Sequence, residues 1–346
     1  MAIVHEDMSM VPSTVYYSDN GGRGWATVEL QAALMARLFE AQLVRLDASQ
    51  GYSKVRLTPG LLPRRRRSGF ALVIAPAPGH LNAVLSTHAL RRAHEFVAGW
   101  VIDSFWTDRI PRVARHRGSF DHLFVTDAEL VDVWSAATGT STSWLPFGSD
   151  VLDEGFGGPD RPVDVQRLGR MPGTWDDDTE VAGAAARAGL QYAGRTPFDA
   201  DPIANQRGLL GAAQRAKFTL AFSNTAAPAE YTHPVHEYLT GRWTDSLACG
   251  CVVAGVSPRC EATRELLWPG ALLELDSLDL ADGLAAIRAA CDEWTPEVAR
   301  RNHAWALRRL DWRLRARSIA EVTGVSTPTL VEELRRLDRA IAEAPL

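Results

Sequence analysis

Short runs of apolar and β-branched residues alternate along the chain with longer stretches whose apolar positions recur at helical period. A parallel strand buried on both faces reads as a continuous apolar run, and its crossover helix shows a single apolar stripe. The pattern therefore predicts an α/β fold. Its first unit is a strand over residues 14–17, a loop over 18–24, and a helix over 25–41 striped by Val28, Leu30, Leu34, Leu38 and Phe39. Further strands are predicted over 43–46, 71–74, 97–102 and 123–125. From 145 to 162 the periodicity stops, and Pro146, Gly148, Gly155, Gly157, Gly158 and Pro159 crowd one segment, which predicts a boundary between two halves. The second half repeats the rhythm, with strands over 163–165, 218–222, 251–254 and 272–275 and helices over 179–188, 208–216, 241–248 and 262–267. Thr295 before Pro296 and Thr327 before Pro328 pair an N-cap residue with an N1 proline, and they start two closing helices.

The length of 346 residues agrees with two halves at roughly 150 residues per domain. Hydrophobic residues make up 46% of the chain and charged residues 23%, the balance of a folded globular protein rather than a disordered one. A net charge of -5 argues against a general nucleic-acid binder, and the basic run at residues 64–67 reads as a solvated loop. No apolar window reaches the roughly 18 residues of a membrane span, and the polar start lacks a signal-peptide core, so a cytoplasmic protein is expected. Cys249, Cys251, Cys260 and Cys291 form neither a disulfide framework nor a metal-ligand spacing, and no HExxH occurs. They are expected to be reduced and buried, and no metal site is expected.

The segment from Glu237 to Val253 carries the candidate chemistry. It reads as a loop that delivers Thr240 and Arg242 to a helix N-terminus, a short helix, a stop at Gly250 and a buried strand. The positive end of a helix beside an arginine offers fixed donors to an anionic oxygen, which predicts a metal-free diphosphate site. Two Rossmann-like halves would also set the loops at the carboxyl ends of their strands against one another across a cleft.

In Tyr238, Thr240, Arg242, Asp245, Leu247, Ala248 and Gly250 the segment resembles the donor helix of GT-B-fold glycosyltransferases, in particular the bacterial group related to spore-maturation glycosyltransferases. Glu237 and Asp245, with seven residues between them, are similar to the acidic pair of retaining members. Gly241 stands where the spore-type pattern has Glu, and Asp245 is one methylene shorter than the usual Glu. Residues 100–103, 120–126 and 145–150 resemble further segments of that family in the same order, and the segment Leu209 to Asn224 resembles the helix and strand that precede the donor loop.

The resemblance implies two Rossmann-like domains, with residues 1–155 holding the acceptor, 156–315 the nucleotide-sugar donor, and a tail over 316–346 crossing back onto the first domain. It implies a nucleotide-sugar-dependent hexosyltransferase acting on a hydroxyl-bearing acceptor, with no cofactor beyond its nucleotide-diphosphate sugar. Arg242 would contact donor phosphate, Asp245 the ribose hydroxyls, and Glu237 would lie near the donor sugar. Tyr238, Thr240, Gly241 and Asn224 complete the donor side, and Gly21 and Gly22 would let backbone amides approach across the cleft.

His80 and Asp103, in loops after predicted strands, are the candidates for general base or acceptor orientation. His233 and His236 either touch the donor or cap its loop. The aspartates at 176–178 read as helix capping rather than a metal motif. Trp305, Leu310, Trp312 and Leu314 read as core. Two other functions fit the sequence: an NAD(P)- or flavin-dependent oxidoreductase using the loop at 21–24, and a catalytically silent nucleotide-sugar-binding protein.

Overall fold

A computed structural model of the chain describes residues 13–19, 23–47, 69–87, 94–115, 117–344 and 346. The first half forms a six-stranded sheet of β1 (Thr14–Asp19), β2 (Gln42–Asp47), β3 (Phe70–Ala75), β4 (Phe96–Val101), β5 (His122–Val125) and β6 (Ser141–Trp144). The second half forms a five-stranded sheet of β7 (Val163–Arg167), β8 (Tyr192–Ala193), β9 (Ala216–Phe222), β10 (Val252–Val256) and β11 (Leu272–Glu274). Every strand pairing in both sheets is parallel. The helices in chain order are α1 (Ala26–Leu38), α2 (Pro78–Thr87), α3 (Ile110–Ala114), α4 (Val131–Thr138), α5 (Val151–Glu154), α6 (Asp178–Arg187) and α7 (Pro202–Gln214). They continue with α8 (Gly241–Ala248), α9 (Glu261–Leu266), α10 (Leu280–Glu293), α11 (Pro296–Arg309), α12 (Trp312–Thr323) and α13 (Pro328–Glu343).

Residues of one strand serve two cores. Leu72 and Ile74 of β3 point to the face covered by Val28, Leu34 and Leu38 of α1, while Ala71 and Val73 point to the face covered by Leu81 and Val84 of α2. All six residues of β3 are buried, as in a sheet covered on both faces. The strand orders are β2-β1-β3-β4-β5-β6 and β11-β10-β9-β7-β8, so both sheets reverse direction of winding between their first and third strands. At such a switch point the connections leave on opposite faces and open a crevice outside the carboxyl ends of the strands.

The closing segment differs from the expected two helices. Asp311 interrupts the helical run, because its carboxylate accepts the Arg313 N–H (2.8 Å) and the Leu152 N–H (2.8 Å) and so caps α12 while tying it to the interdomain segment. Beyond that cap the tail returns to the first sheet: Trp312, Ala316, Ile319 and Leu330 share a core with Val15, Val28 and Phe39. The Thr327 hydroxyl donates to the Leu38 carbonyl, and Arg315 donates to the carbonyls of Pro146 and Phe147 at 2.9 Å each. Arg313, fully buried, meets Asp150 (2.7 Å), Asp153 (2.5 Å), Glu333 (2.7 Å) and Asp311 (3.3 Å). This cluster locks both tail helices to the linker between the sheets.

One predicted helix is shifted. The run over 208–216 begins instead at Pro202, because Asp201 accepts the Ile203 N–H (2.9 Å) with proline at the first position, and residue 216 already belongs to β9. Asp177 caps α6, and Asp176 and Asp178 pair with buried Arg167 at 2.5 and 3.0 Å. All four cysteines are free and buried. Among the described residues no helix is long and apolar enough to cross a membrane.

Candidate functional site

The loop after β9 folds around Asn224, whose Nδ2 donates to the carbonyls of His233 (2.6 Å) and His236 (2.8 Å). His233 Nδ1 in turn accepts the His236 N–H (2.9 Å). Of the two roles open to these histidines, loop capping is the one His233 performs. The loop ends at Thr240, the N-cap of α8, and α8 spans Gly241–Ala248, the limits expected for it. Trp243 and Leu247 bury one side of that helix, and Gly250, at φ 77°, ends it in a conformation that only glycine adopts without strain.

This packing sends Arg242 across the switch point of the second sheet. Its Nη1 donates to the Arg170 carbonyl just past β7 (3.0 Å) and its Nη2 to the Phe222 carbonyl at the end of β9 (3.1 Å). Gly169, at φ 72°, makes this approach feasible, because a Cβ there would stand 2.8 Å from Arg242 Cδ. Burial, and then the charge of Arg170, push the Arg242 guanidinium down to about 10, so it is still charged at neutral pH. Arg170 leans over the ring of Tyr231 (5.5 Å) and donates to the Ala227 carbonyl. Among the described residues neither arginine has a carboxylate within 4 Å. Beside them, the Thr240 hydroxyl and the Asn224 carbonyl oxygen are buried without a partner. Two half-buried cations with no described carboxylate beside them, next to a helix N-terminus, are an arrangement that can hold an anion.

Glu237 faces a cleft of 730 Å³ between the two sheets. Burial alone would raise its carboxyl, but the hydroxyl of Thr225, the Arg259 N–H (2.7 Å) and the Ser223 hydroxyl (2.8 Å) hold it below its ordinary value and therefore ionised. Tyr238 stacks on Phe105 of the first half with ring centres 3.9 Å apart. Gly241 opens α8 with Phe147 and Asp245 nearby. Asp245 faces a separate cavity of 310 Å³ between α1, α7 and the linker, where Gln206 Nε2 (2.8 Å) and the Ser149 hydroxyl both donate to it. Burial raises it to about 6. The structure thus gathers Arg242, Thr240, Asn224 and Glu237 around the carboxyl ends of β7 and β9 and sets Asp245 apart, in the seam between the halves. Residues 21 and 22 lie outside the described residues.

On the facing half, His80 and Asp103 follow the adjacent strands β3 and β4. His80 Nδ1 accepts the Ala77 N–H (3.1 Å), so the ring proton sits on Nε2. Burial, then the charge of Arg109, lower the His80 ring below its ordinary value. In this arrangement the neutral ring is a donor rather than a base. Asp103 is raised to about 8 by burial, by the charge of Asp127 and against the charge of Arg109. Two residues of this site escaped the sequence reading: Arg170, three positions past the first strand of the second sheet, and Asp127, two positions past β5. Strand-end position was the signal available for both.

No protein-family model matches the chain, and no curated protein matches it in sequence. Solved structures do match. A UDP-forming α,α-trehalose-phosphate synthase from Burkholderia xenovorans superposes with a TM-score of 0.51 at 9% identity, over 92% of this chain and 100% of the other. The apo lipopolysaccharide outer core galactosyltransferase WaaB matches at 0.46 and 11% identity, over 89% of this chain and 98% of the other. The pneumococcal O-GlcNAc transferase GtfA, in complex with UDP and GlcNAc, matches at 0.46 and 12% identity, over 78% of this chain and 59% of the other. With its two parallel Rossmann-like sheets, the cleft between them and the tail returned to the first, the chain has the GT-B fold.

Proposed function

We propose that the chain is a glycosyltransferase that moves a hexosyl group from a nucleotide-diphosphate sugar to a hydroxyl-bearing acceptor, and that it belongs beside the spore-maturation group. The observation that carries this reading is the pair Arg170 and Arg242, uncompensated by any described carboxylate at the switch point of the second sheet. A diphosphate needs two or more cationic donors when no metal neutralises it, and each charge-assisted hydrogen bond contributes roughly 1.5–3 kcal/mol. The same donors act where negative charge grows as the bond to the sugar breaks, so they favour the transition state over the bound donor. Glu237, held ionised on the cleft wall, would orient the sugar.

In this reading residues 156–315 hold the donor and residues 1–155 the acceptor. The Phe105–Tyr238 stack keeps the halves apposed, and closure aligns the reactants and excludes water. The trehalose-phosphate synthase is described as UDP-forming, which accords with a nucleoside diphosphate as leaving group. The test is a thermal-shift panel of nucleotide sugars in the presence of a chelator. At least one nucleotide sugar is expected to stabilise the wild-type chain and to lose that effect in Arg242→Ala. Stabilisation that requires added manganese would contradict the reading.

A further inference from the structure

The strand-end carboxylates of the first sheet are not equivalent. Asp127 lines the 730 Å³ cleft opposite Glu237, although the residue is only 8% exposed. Its Oδ2 accepts from the Ser104 hydroxyl (2.5 Å), and its own N–H donates back to that hydroxyl (3.2 Å). Ser104 is itself fixed, because its carbonyl accepts the indole N–H of Trp134 (3.0 Å). One carboxylate oxygen is therefore pinned, and no donor among the described residues meets the other. Phe105, Leu130 and Val256 form the apolar part of the cavity wall beside it, and Glu237, His236 and Arg259 the polar part across the cleft.

We propose that Asp127 is a catalytic residue of the transfer reaction, the group that takes the proton from the attacking hydroxyl. The proposal rests on the sugar-transfer reading above. In the step, the hydroxyl oxygen bonds to the anomeric carbon and the bond from that carbon to the diphosphate oxygen breaks. Its electron pair leaves with the nucleoside diphosphate, and the proton passes to Asp127 Oδ1 and then to solvent. The charged and titratable groups around Asp127 are Asp103 at the end of the adjacent strand, Glu129 in the next turn, and Glu237, His236, Arg259 and Cys260 across the cleft. Burial pushes Asp127 up to about 7, against the hydrogen bond from Ser104 and with the charge of Glu129. A base with this value is matched to proton removal near neutral pH. Since the carboxylate is the active form, the rate should rise as pH rises through that value.

The test uses the full chain, with water as acceptor and UDP-glucose, UDP-N-acetylglucosamine, GDP-mannose and dTDP-glucose as donors. The measurement is nucleoside-diphosphate release against pH, with donor affinity determined in parallel. Asp127→Asn is expected to bind the preferred donor within about twofold of wild type and to release nucleoside diphosphate about 100-fold more slowly, without the acid limb. Asp127→Glu should restore part of the rate together with the limb. Glu129→Gln should move the limb to lower pH, because it removes a like charge. Asp127→Asn that keeps more than half the rate, or keeps the limb, overturns the proposal, as does a wild-type chain that binds donor and releases nothing at any pH. A wild-type chain that binds none of these donors overturns the sugar-transfer reading first, and the role of Asp127 with it.

Discussion

Arg242 spends two of its five donors on main-chain carbonyls and keeps its guanidinium plane fixed at the crevice. Lysine has no fork with which to hold both carbonyls and still reach an anion, so Arg242→Lys is expected to behave more like Arg242→Ala than like wild type. Calorimetry should show nucleoside-diphosphate affinity falling about 10- to 100-fold in Arg242→Ala, the equivalent of one charge-assisted hydrogen bond. Gly169 makes a sharper prediction, since it contacts no ligand in this account. Alanine there would bring a strained left-handed backbone worth about 1–2 kcal/mol, and it would displace the stem of Arg242. Gly169→Ala should therefore weaken diphosphate binding as well as stability, whereas glycine-to-alanine changes at exposed Gly208, where a Cβ meets nothing, should do neither.

At the scale of elements, the tail helices are held by a cluster of charge rather than by packing alone. Burial would raise the Glu333 carboxyl, but Arg313 and Arg37 hold it down to about 2. Its folded value lies below its unfolded one, so this stabilisation is complete above the ordinary glutamate range and is lost as pH falls toward about 2. Arg313→Met should leave Asp150, Asp153, Asp311 and Glu333 facing one another, and it should lower unfolding stability by about 3–5 kcal/mol at neutral pH. Denaturant unfolding at neutral and acid pH should show that deficit narrowing as the carboxylates protonate. The sequence made α8 legible to the residue, because an amphipathic turn, a capping position and a glycine stop all agree there. It hid β6 and β8, since Ser141–Trp144 is polar and β8 has two residues, so neither carries an apolar run. It hid Asp311 as a break because the flanking helices share one period. Arg170 was illegible for a different reason: its partner is 72 residues away, and only the reversal of strand order brings the two together.

Across the whole molecule, contacts between the halves include the Phe105–Tyr238 stack, the Glu129 carboxylate at the N–H of Glu261 and, at the linker, the Ser149 hydroxyl on Asp245. Phe105 and Glu129 of the first two also line the large cleft. Phe105→Ala removes a buried ring from that seam and is expected to raise the radius of gyration in small-angle scattering, with the shift reduced by bound donor. The net charge of -5 conceals the local cation pair of Arg170 and Arg242. The most direct measurement compares UDP, GDP and dTDP with their nucleosides by calorimetric titration in chelator, for wild type and for Arg170→Ala combined with Arg242→Ala. A diphosphate advantage in wild type that vanishes in the double variant is the predicted result. An advantage that survives the double variant, or that appears only with a divalent cation, would contradict the account.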